Sequence, residues 1–212
     1  MSRPRRASPP ARCARRASYR GTDAYGRRAK AAGYRARSAL KIEEIDRRVG
    51  LLRPGQRVLD LGAAPGSWSQ YAAWRVGPAG RVLAVDLAPI DPIGPNVETL
   101  RSDVLGIPPA RLATLGPYDV VLSDMAPHTS GDRATDQIRS FELFAAALDL
   151  AAALLAPGGS FVGKIFMGGA FDEARARVGA HFSTVRVLRP ESTRAVSKEI
   201  FLVGLGFRPA GR

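Results

Sequence analysis

The chain is predicted to fold as a doubly wound α/β sandwich, a mostly parallel sheet with helices on both faces. Three observations carry that expectation. Short apolar runs alternate with segments of helical periodicity from residue 57 onward. Most of these runs lack a polar face, as strands covered on both sides do. Charged residues fall where several of the runs end. Alternating β and α units of this kind build a parallel sheet between two helical layers.

The strands are expected at Arg57–Leu61, Arg81–Leu87, Val97–Leu100, Tyr118–Ser123 and Ser160–Phe166, each buried on both faces. Two more are expected near Thr184–Leu188 and Glu199–Phe207. A helix opens near Ser67, after the first strand. The clearest helix is Thr135–Leu155, where Ile138, Phe141, Ala145, Leu148, Ala152 and Leu155 recur at three-four spacing. Pro157-Gly158-Gly159 ends it, and another helix follows near Phe171–Ala180. Upstream, Arg35–Val49 has Ile42, Ile45 and Val49 on one helical face, and Pro54-Gly55 makes the turn into the first strand. Residues 21–34 form a polar stretch with Tyr25 and Tyr34 among arginines. Residues 1–20, composed mainly of Arg, Pro, Ser and Ala, are expected to be a disordered basic arm. Residues 21–212 are expected to form one domain, with the basic entry segment and helix at 21–50 and the core at 51–207.

Composition narrows the function classes. The 212 residues are 45% hydrophobic and 24% charged, ordinary values for a globular protein with a full core. No apolar run is long enough to span a bilayer, and no residue set calls for a metal. A single cysteine, Cys13, excludes an intramolecular disulfide and suits a reducing compartment. The net charge is +13, and it is concentrated. Residues 1–41 hold eleven Arg and two Lys against one Asp, a net of +12, which leaves the remainder at +1. A basic segment beside a nearly neutral domain points to a polyanion partner. A solubilising tail and an Arg-rich targeting peptide are the other readings of the arm. Only four of the 32 basic residues are Lys, at positions 30, 41, 164 and 198. Arg never deprotonates in proteins, so a surviving Lys flags chemistry that needs an amine.

In open parallel sheets, ligands bind beyond the carboxyl ends of the strands. Asp86 in AVDLAP, Asp124 in VVLSDMAP and Lys164 in FVGKIF fall at or near those ends. Charges in apolar runs are costly unless paired or functional, and their shared rim position favours one site over a purely structural Lys164–Asp124 pair. The first strand leads into Asp60-Leu61-Gly62-Ala63-Ala64-Pro65-Gly66-Ser67-Trp68, whose small residues allow close approach of a ligand to the backbone. G-x-G-x-x-G is absent, which argues against a nicotinamide enzyme. An acid closing the next strand, Asp86, can accept hydrogen bonds from ribose hydroxyls. Turn and acid together suggest a cofactor containing adenosine.

DLGAAPGSW followed by AVDL, SDMAP, LAPGGSFVGKIF and SKEIF resembles the FtsJ-type ribosomal RNA large-subunit methyltransferases. Upstream, the segment from Tyr25 to Lys30 and the segment from Gly33 to Lys41 are similar to the family's basic entry region. The resemblance runs from about residue 22 to 207. It implies a Rossmann-like S-adenosylmethionine-dependent methyltransferase fold, with seven strands and an antiparallel last one. It implies a Lys-Asp-Lys-Glu tetrad at Lys41, Asp124, Lys164 and Glu199, and cofactor contacts at Gly66, Trp68, Asp86, Asp103 and Asp124. An antiparallel last strand would begin at the rim where the parallel strands end, which brings Glu199 toward Asp124 and Lys164. The chain departs from the family at Leu40, often aromatic, at His128, commonly Asn, and at Lys198, often Arg.

The implied reaction is 2′-O-methylation of a uridine ribose in large-subunit ribosomal RNA, with S-adenosylmethionine as donor. The implied setting is a cytoplasmic monomer acting on RNA within a pre-ribosomal particle, away from any membrane. Mitochondrial ribosomal RNA and transfer RNA anticodon loops are the alternative substrates, and an RNA-binding assembly factor without catalysis is the alternative class. Lys164 either accepts the hydroxyl proton or stays charged and orients the hydroxyl; sequence leaves both open.

Overall fold

The computed structural model describes residues 24–128, 130–194 and 197–209. The predicted basic arm and Cys13 lie outside the described residues. Among the described residues seven strands form one sheet: β1 (Arg57–Leu61), β2 (Arg81–Asp86), β3 (Val97–Arg101), β4 (Tyr118–Ser123), β5 (Leu155–Phe166), β6 (Phe182–Leu188) and β7 (Glu199–Phe207). Their spatial order is β3-β2-β1-β4-β5-β7-β6. The pairs from β3 through to β5 are parallel, and β7 runs antiparallel to both β5 and β6. The predicted fold class is the observed one.

Side-chain alternation along the strands sorts the core into two layers. Val58, Val82, Val120, Leu122, Val162, Phe201 and Val203 face one helical layer, made by α2 (Ala39–Val49) and α3 (Ser67–Val76). Leu59, Leu83, Val121, Phe161, Ile200 and Leu202 face the other, made chiefly by α5 (Arg133–Leu154) and α6 (Phe171–His181). The short α4 (Pro109–Leu112) contributes Leu112 to that second layer.

Two expectations about burial need correction. The run at Val97–Leu100 was expected to be covered on both faces, but β3 is an edge strand with Glu98, Thr99 and Arg101 exposed. Val97 and Leu100, three residues apart, point to opposite faces and pack, partly buried, against the two different layers. In α5 the inward stripe is Asp136, Ser140, Phe144, Ala147, Leu148, Ala151 and Leu154, while Ile138 is 61% exposed. The stripe is invisible to hydrophobicity at its N-terminal end because its first two members are polar. Ser140 Oγ accepts from Phe166 N at 3.0 Å, and Asp136 Oδ1 accepts from Ser130 N at 2.8 Å. These bonds tie the start of α5 to the strand-end loops.

Boundaries also differ. A helix, α1 (Ala24–Ala31), occupies the stretch predicted as merely polar; Ala29 is buried, and Arg28 pairs with Glu43 at 2.7 Å. Gly33, at φ 74°, ends it. The next helix begins at Ala39 rather than Arg35. Arg35 N donates to Gln70 Oε1 at 3.2 Å, a partner outside the helical ladder. β5 begins at Leu155, so Pro157-Gly158-Gly159 enters the sheet, with an irregular register between Tyr118 and Val120 opposite. α2 is held against α3 by Asp46, which is 2% exposed and accepts from Tyr71 Oη (2.8 Å), Arg75 Nε (2.6 Å) and Leu52 N (2.8 Å). That anchor fixes the helix carrying Lys41.

Candidate active site

Four charged side chains meet at the carboxyl edge of the sheet. Asp124 directly follows β4, Lys164 lies two residues before the end of β5, Glu199 is the first residue of β7, and Lys41 lies in the first turn of α2. Lys164 Nζ is 3.0 Å from Asp124 Oδ1 and donates to the Asp124 carbonyl at 2.6 Å. Lys41 Nζ is 2.6 Å from Glu199 Oε1 and 3.9 Å from Asp124 Oδ1. The result is a chain of alternating charge, Lys164–Asp124–Lys41–Glu199. Antiparallel pairing explains the position of Glu199, since β7 enters opposite Phe166, two residues beyond Lys164. The side chains of all four are mostly buried, with Lys164 the deepest at 6% exposure. Lys41 also lies over the ring of Phe201, 5.7 Å from its centroid.

The glycine-rich turn borders this cluster. Gly62 and Gly66 both have positive φ, at 73° and 100°. A Cβ at Gly62 would collide with Met125, next to Asp124, and one at Gly66 would lie 2.8 Å from Ile93 Cδ1. The turn therefore needs both residues to be Gly. Asp86 Oδ2 accepts from Ala64 N at 2.9 Å and Oδ1 from Ala88 N at 2.8 Å, so this carboxylate braces the turn. Trp68 is 2% exposed; its Nε1 donates to the Ser38 carbonyl at 2.9 Å and its ring packs on Phe201. What Trp68 offers a ligand is the backbone amide of the α3 N-terminus. Asp103 is exposed just beyond β3, where it accepts from Leu105 N at 3.0 Å, and the neighbouring Ser102 N donates to the Asp86 carbonyl at 2.9 Å. His128 and Lys198 are exposed, and Leu40 is buried.

Sequence reasoning passes over Asp60. It is 1% exposed at the end of β1, and Ser69 Oγ donates to its Oδ2 at 2.5 Å. Burial pushes its carboxyl up to about 7; the Ser69 hydrogen bond works against this, and the nearby Asp124 and Asp86 charges add to it. The signal was an acid inside the apolar run Arg57–Leu61, the same signal that marks Asp86. Ser67 is missed for another reason, since a lone Ser at a helix start reads as a cap.

The pattern of the FtsJ-like methyltransferases matches residues 34–207, most of the chain. The chain belongs to the FtsJ-like methyltransferase family. Its relatives include proteins named ribosomal RNA large subunit methyltransferase E. The one from Sorangium cellulosum is 59% identical over 195 residues, which is 92% of each chain. The one from Myxococcus xanthus is 50% identical, covering 88% of this chain and 90% of its own. A crystal structure from Plasmodium falciparum, assigned as a ribosomal RNA methyltransferase, superposes with a TM-score of 0.75 at 25% identity, covering 84% of this chain and all of that one.

A methyltransferase of the FtsJ-like family implies S-adenosylmethionine, and the residues present suit that group. Two buried polar atoms beside the turn, Asp60 Oδ1 and Ser67 Oγ, have no hydrogen-bond partner among the described residues. Acidic side chains stand at or within one residue of the ends of three adjacent strands, at Asp86, Asp60 and Asp124. A rim of three acids complements a cofactor bearing a positive sulfur and an ammonium.

Proposed function

We propose that this protein catalyses S-adenosylmethionine-dependent 2′-O-methylation of a uridine ribose in large-subunit ribosomal RNA. The setting is a cytoplasmic monomer acting on RNA within a pre-ribosomal particle. The observation that carries this reading is the Lys164–Asp124–Lys41–Glu199 chain, which stands beside the glycine-rich turn at one sheet edge. The names of its relatives support ribosomal RNA as the substrate.

Asp86 holds the cofactor ribose, and the α3 N-terminus with Gly66 receives the remainder of the cofactor. When bound, S-adenosylmethionine supplies a methyl group on a positively charged sulfur. The protein's task is to hold the ribose oxygen in line with that methyl and to take its proton. Lys164, as a neutral amine, is the proton acceptor; the Asp124 carboxylate and carbonyl position its Nζ and the ammonium it becomes on taking the hydroxyl proton. Lys41, tethered by Glu199, sits on the far side of Asp124. Proton transfer to a positioned side chain is typically worth roughly 10²–10⁴ in rate. Within the basic segment at residues 1–41, exposed arginines such as Arg27 supply phosphate contacts independent of RNA sequence.

The test is to map ribose methylation across ribosomal RNA from cells with and without the protein, by nuclease digestion and mass spectrometry. One large-subunit uridine should lose its 2′-O-methyl group in the deletion strain. Loss of a base methyl group alone, or loss only from transfer RNA, overturns the reading.

A further inference from the structure

Arg35 belongs to the entry segment whose arginines the sequence assigns to RNA phosphates, yet its guanidinium, on an exposed side chain, is engaged by backbone carbonyls. Nη1 donates to the carbonyls of Pro65 at 3.1 Å and Asp91 at 2.8 Å, and Nη2 donates to Pro92 at 2.5 Å. Pro65 is part of the glycine-rich turn. Asp91 and Pro92 belong to the loop that follows Asp86. In a doubly wound sheet these two backbone segments flank a nucleoside held by the acid at the second strand's end.

The backbone of the residue is held as well. Arg35 N donates to Gln70 Oε1 at 3.2 Å, and Gln70 Nε2 donates to the Gly33 carbonyl at 2.9 Å. The side chain also packs over the turn: a Cβ at Gly66 would be 3.1 Å from Arg35 Nη1 and 3.1 Å from Ile90 Cγ2. Turn, guanidinium and post-Asp86 loop thus close around one glycine. Three carbonyls occupy a fork that would otherwise be free for a phosphate. A planar guanidinium spans two loops at once, which an ammonium on a flexible stem does not do.

We propose that Arg35 is a positioning residue of the cofactor pocket, tying the glycine-rich turn to the loop after Asp86, and not an RNA phosphate contact. This rests on the reading of that turn as the S-adenosylmethionine site. Without the tie the two walls of the pocket separate, and the cofactor must order them as it binds.

The experiment compares wild type, Arg35→Lys and Arg35→Ala in two titrations, with S-adenosylmethionine by calorimetry and with ribosomal RNA across a range of salt. Arg27→Ala, an exposed arginine of α1, calibrates the loss of one phosphate contact. Both Arg35 variants should bind the cofactor on the order of ten- to a hundredfold more weakly, the range for charge-assisted hydrogen bonds. Their KM for cofactor should rise while KM for RNA and the salt slope stay at wild-type values. Arg35→Lys keeps the charge, so it answers the question even if the Ala variant folds poorly. Wild-type cofactor affinity in Arg35→Lys overturns the proposal. So does a salt slope lowered by about one in Arg35→Ala, the signature of a lost phosphate contact. A wild type that binds no S-adenosylmethionine overturns the functional reading instead.

Discussion

Lys41 Nζ stands 2.6 Å from Glu199 Oε1, joining the second helix to the first residue of the last strand. The same Nζ is 3.9 Å from Asp124 Oδ1, so Asp124 lies between two ammonium groups. Each side chain of the Lys41–Glu199 pair is 12% exposed. Removing one partner leaves the other buried and poorly compensated.

Glu199→Ala should therefore destabilise the fold by about 3 kcal/mol, near the lower end for broken buried pairs. The double variant Glu199→Ala, Lys41→Met should recover part of that loss. Urea unfolding of the four proteins gives the coupling energy directly. Additive losses would show that the pair is not coupled.

Lys164 distinguishes charge from proton acceptance. Lys164→Arg and Lys164→Met should both lose nearly all turnover, by roughly 10²–10⁴, while cofactor affinity stays near wild type. Guanidinium keeps the charge but does not deprotonate. Single-turnover methyl transfer to RNA measures this. Substantial activity in the Arg variant would leave Lys164 with an orienting role only.

Asp86→Ala should weaken S-adenosylmethionine binding at least tenfold and also cost stability. The second effect follows from the structure, because Ala64 N and Ala88 N lose their acceptor. A donor left without an acceptor costs about 1–3 kcal/mol when buried, and less where water reaches it. Calorimetric titration and thermal unfolding separate the two effects; unchanged affinity would remove Asp86 from the pocket.

Asp60 predicts a pH dependence. Its folded carboxyl is raised from the ordinary 3.8 to about 7, chiefly by burial. The unfolded chain therefore releases this proton first as pH rises. Asp60 is least costly to the fold below about pH 3.8, and the cost grows until about pH 7 and is constant above. Relative to wild type, Asp60→Asn should gain stability across that window, on the order of a few kcal/mol. Denaturant midpoints of both proteins between pH 5 and 8 provide the check; parallel profiles would show that Asp60 does not titrate there.

Deleting residues 1–20 should weaken RNA binding and flatten its dependence on salt, because fewer counterions are released. Cofactor affinity should not change. An identical salt slope after deletion would assign the arm to solubility or targeting.

Much of the fold was legible because it depends on local periodicity. The Val- and Leu-rich runs at Arg57–Leu61 and Tyr118–Ser123 coincide with β1 and β4. The glycine-rich turn was legible from its small residues, and Asp86, Asp124 and Lys164 from charge set in apolar runs. Sequence alone thus determined the fold class, the edge of the sheet that carries charge, and the motifs of the FtsJ-like family.

Tertiary structure decided which surface each residue meets. Ile138 looked like core but faces solvent, because Asp136 and Ser140 turn inward to bond the strand-end loops. Among the described residues no strand pairs beyond Val97–Arg101, which leaves it at the edge of the sheet. Arg35 and the arginines around it have the same chemistry in sequence, but its fork closes on carbonyls from two distant loops. Lys41 finds Glu199 only because β7 enters the sheet antiparallel at the rim. Periodicity records a residue's affinity for water or for the core. The partner of a long charged side chain is set by chain crossings through space, and those exist only once the sheet has formed.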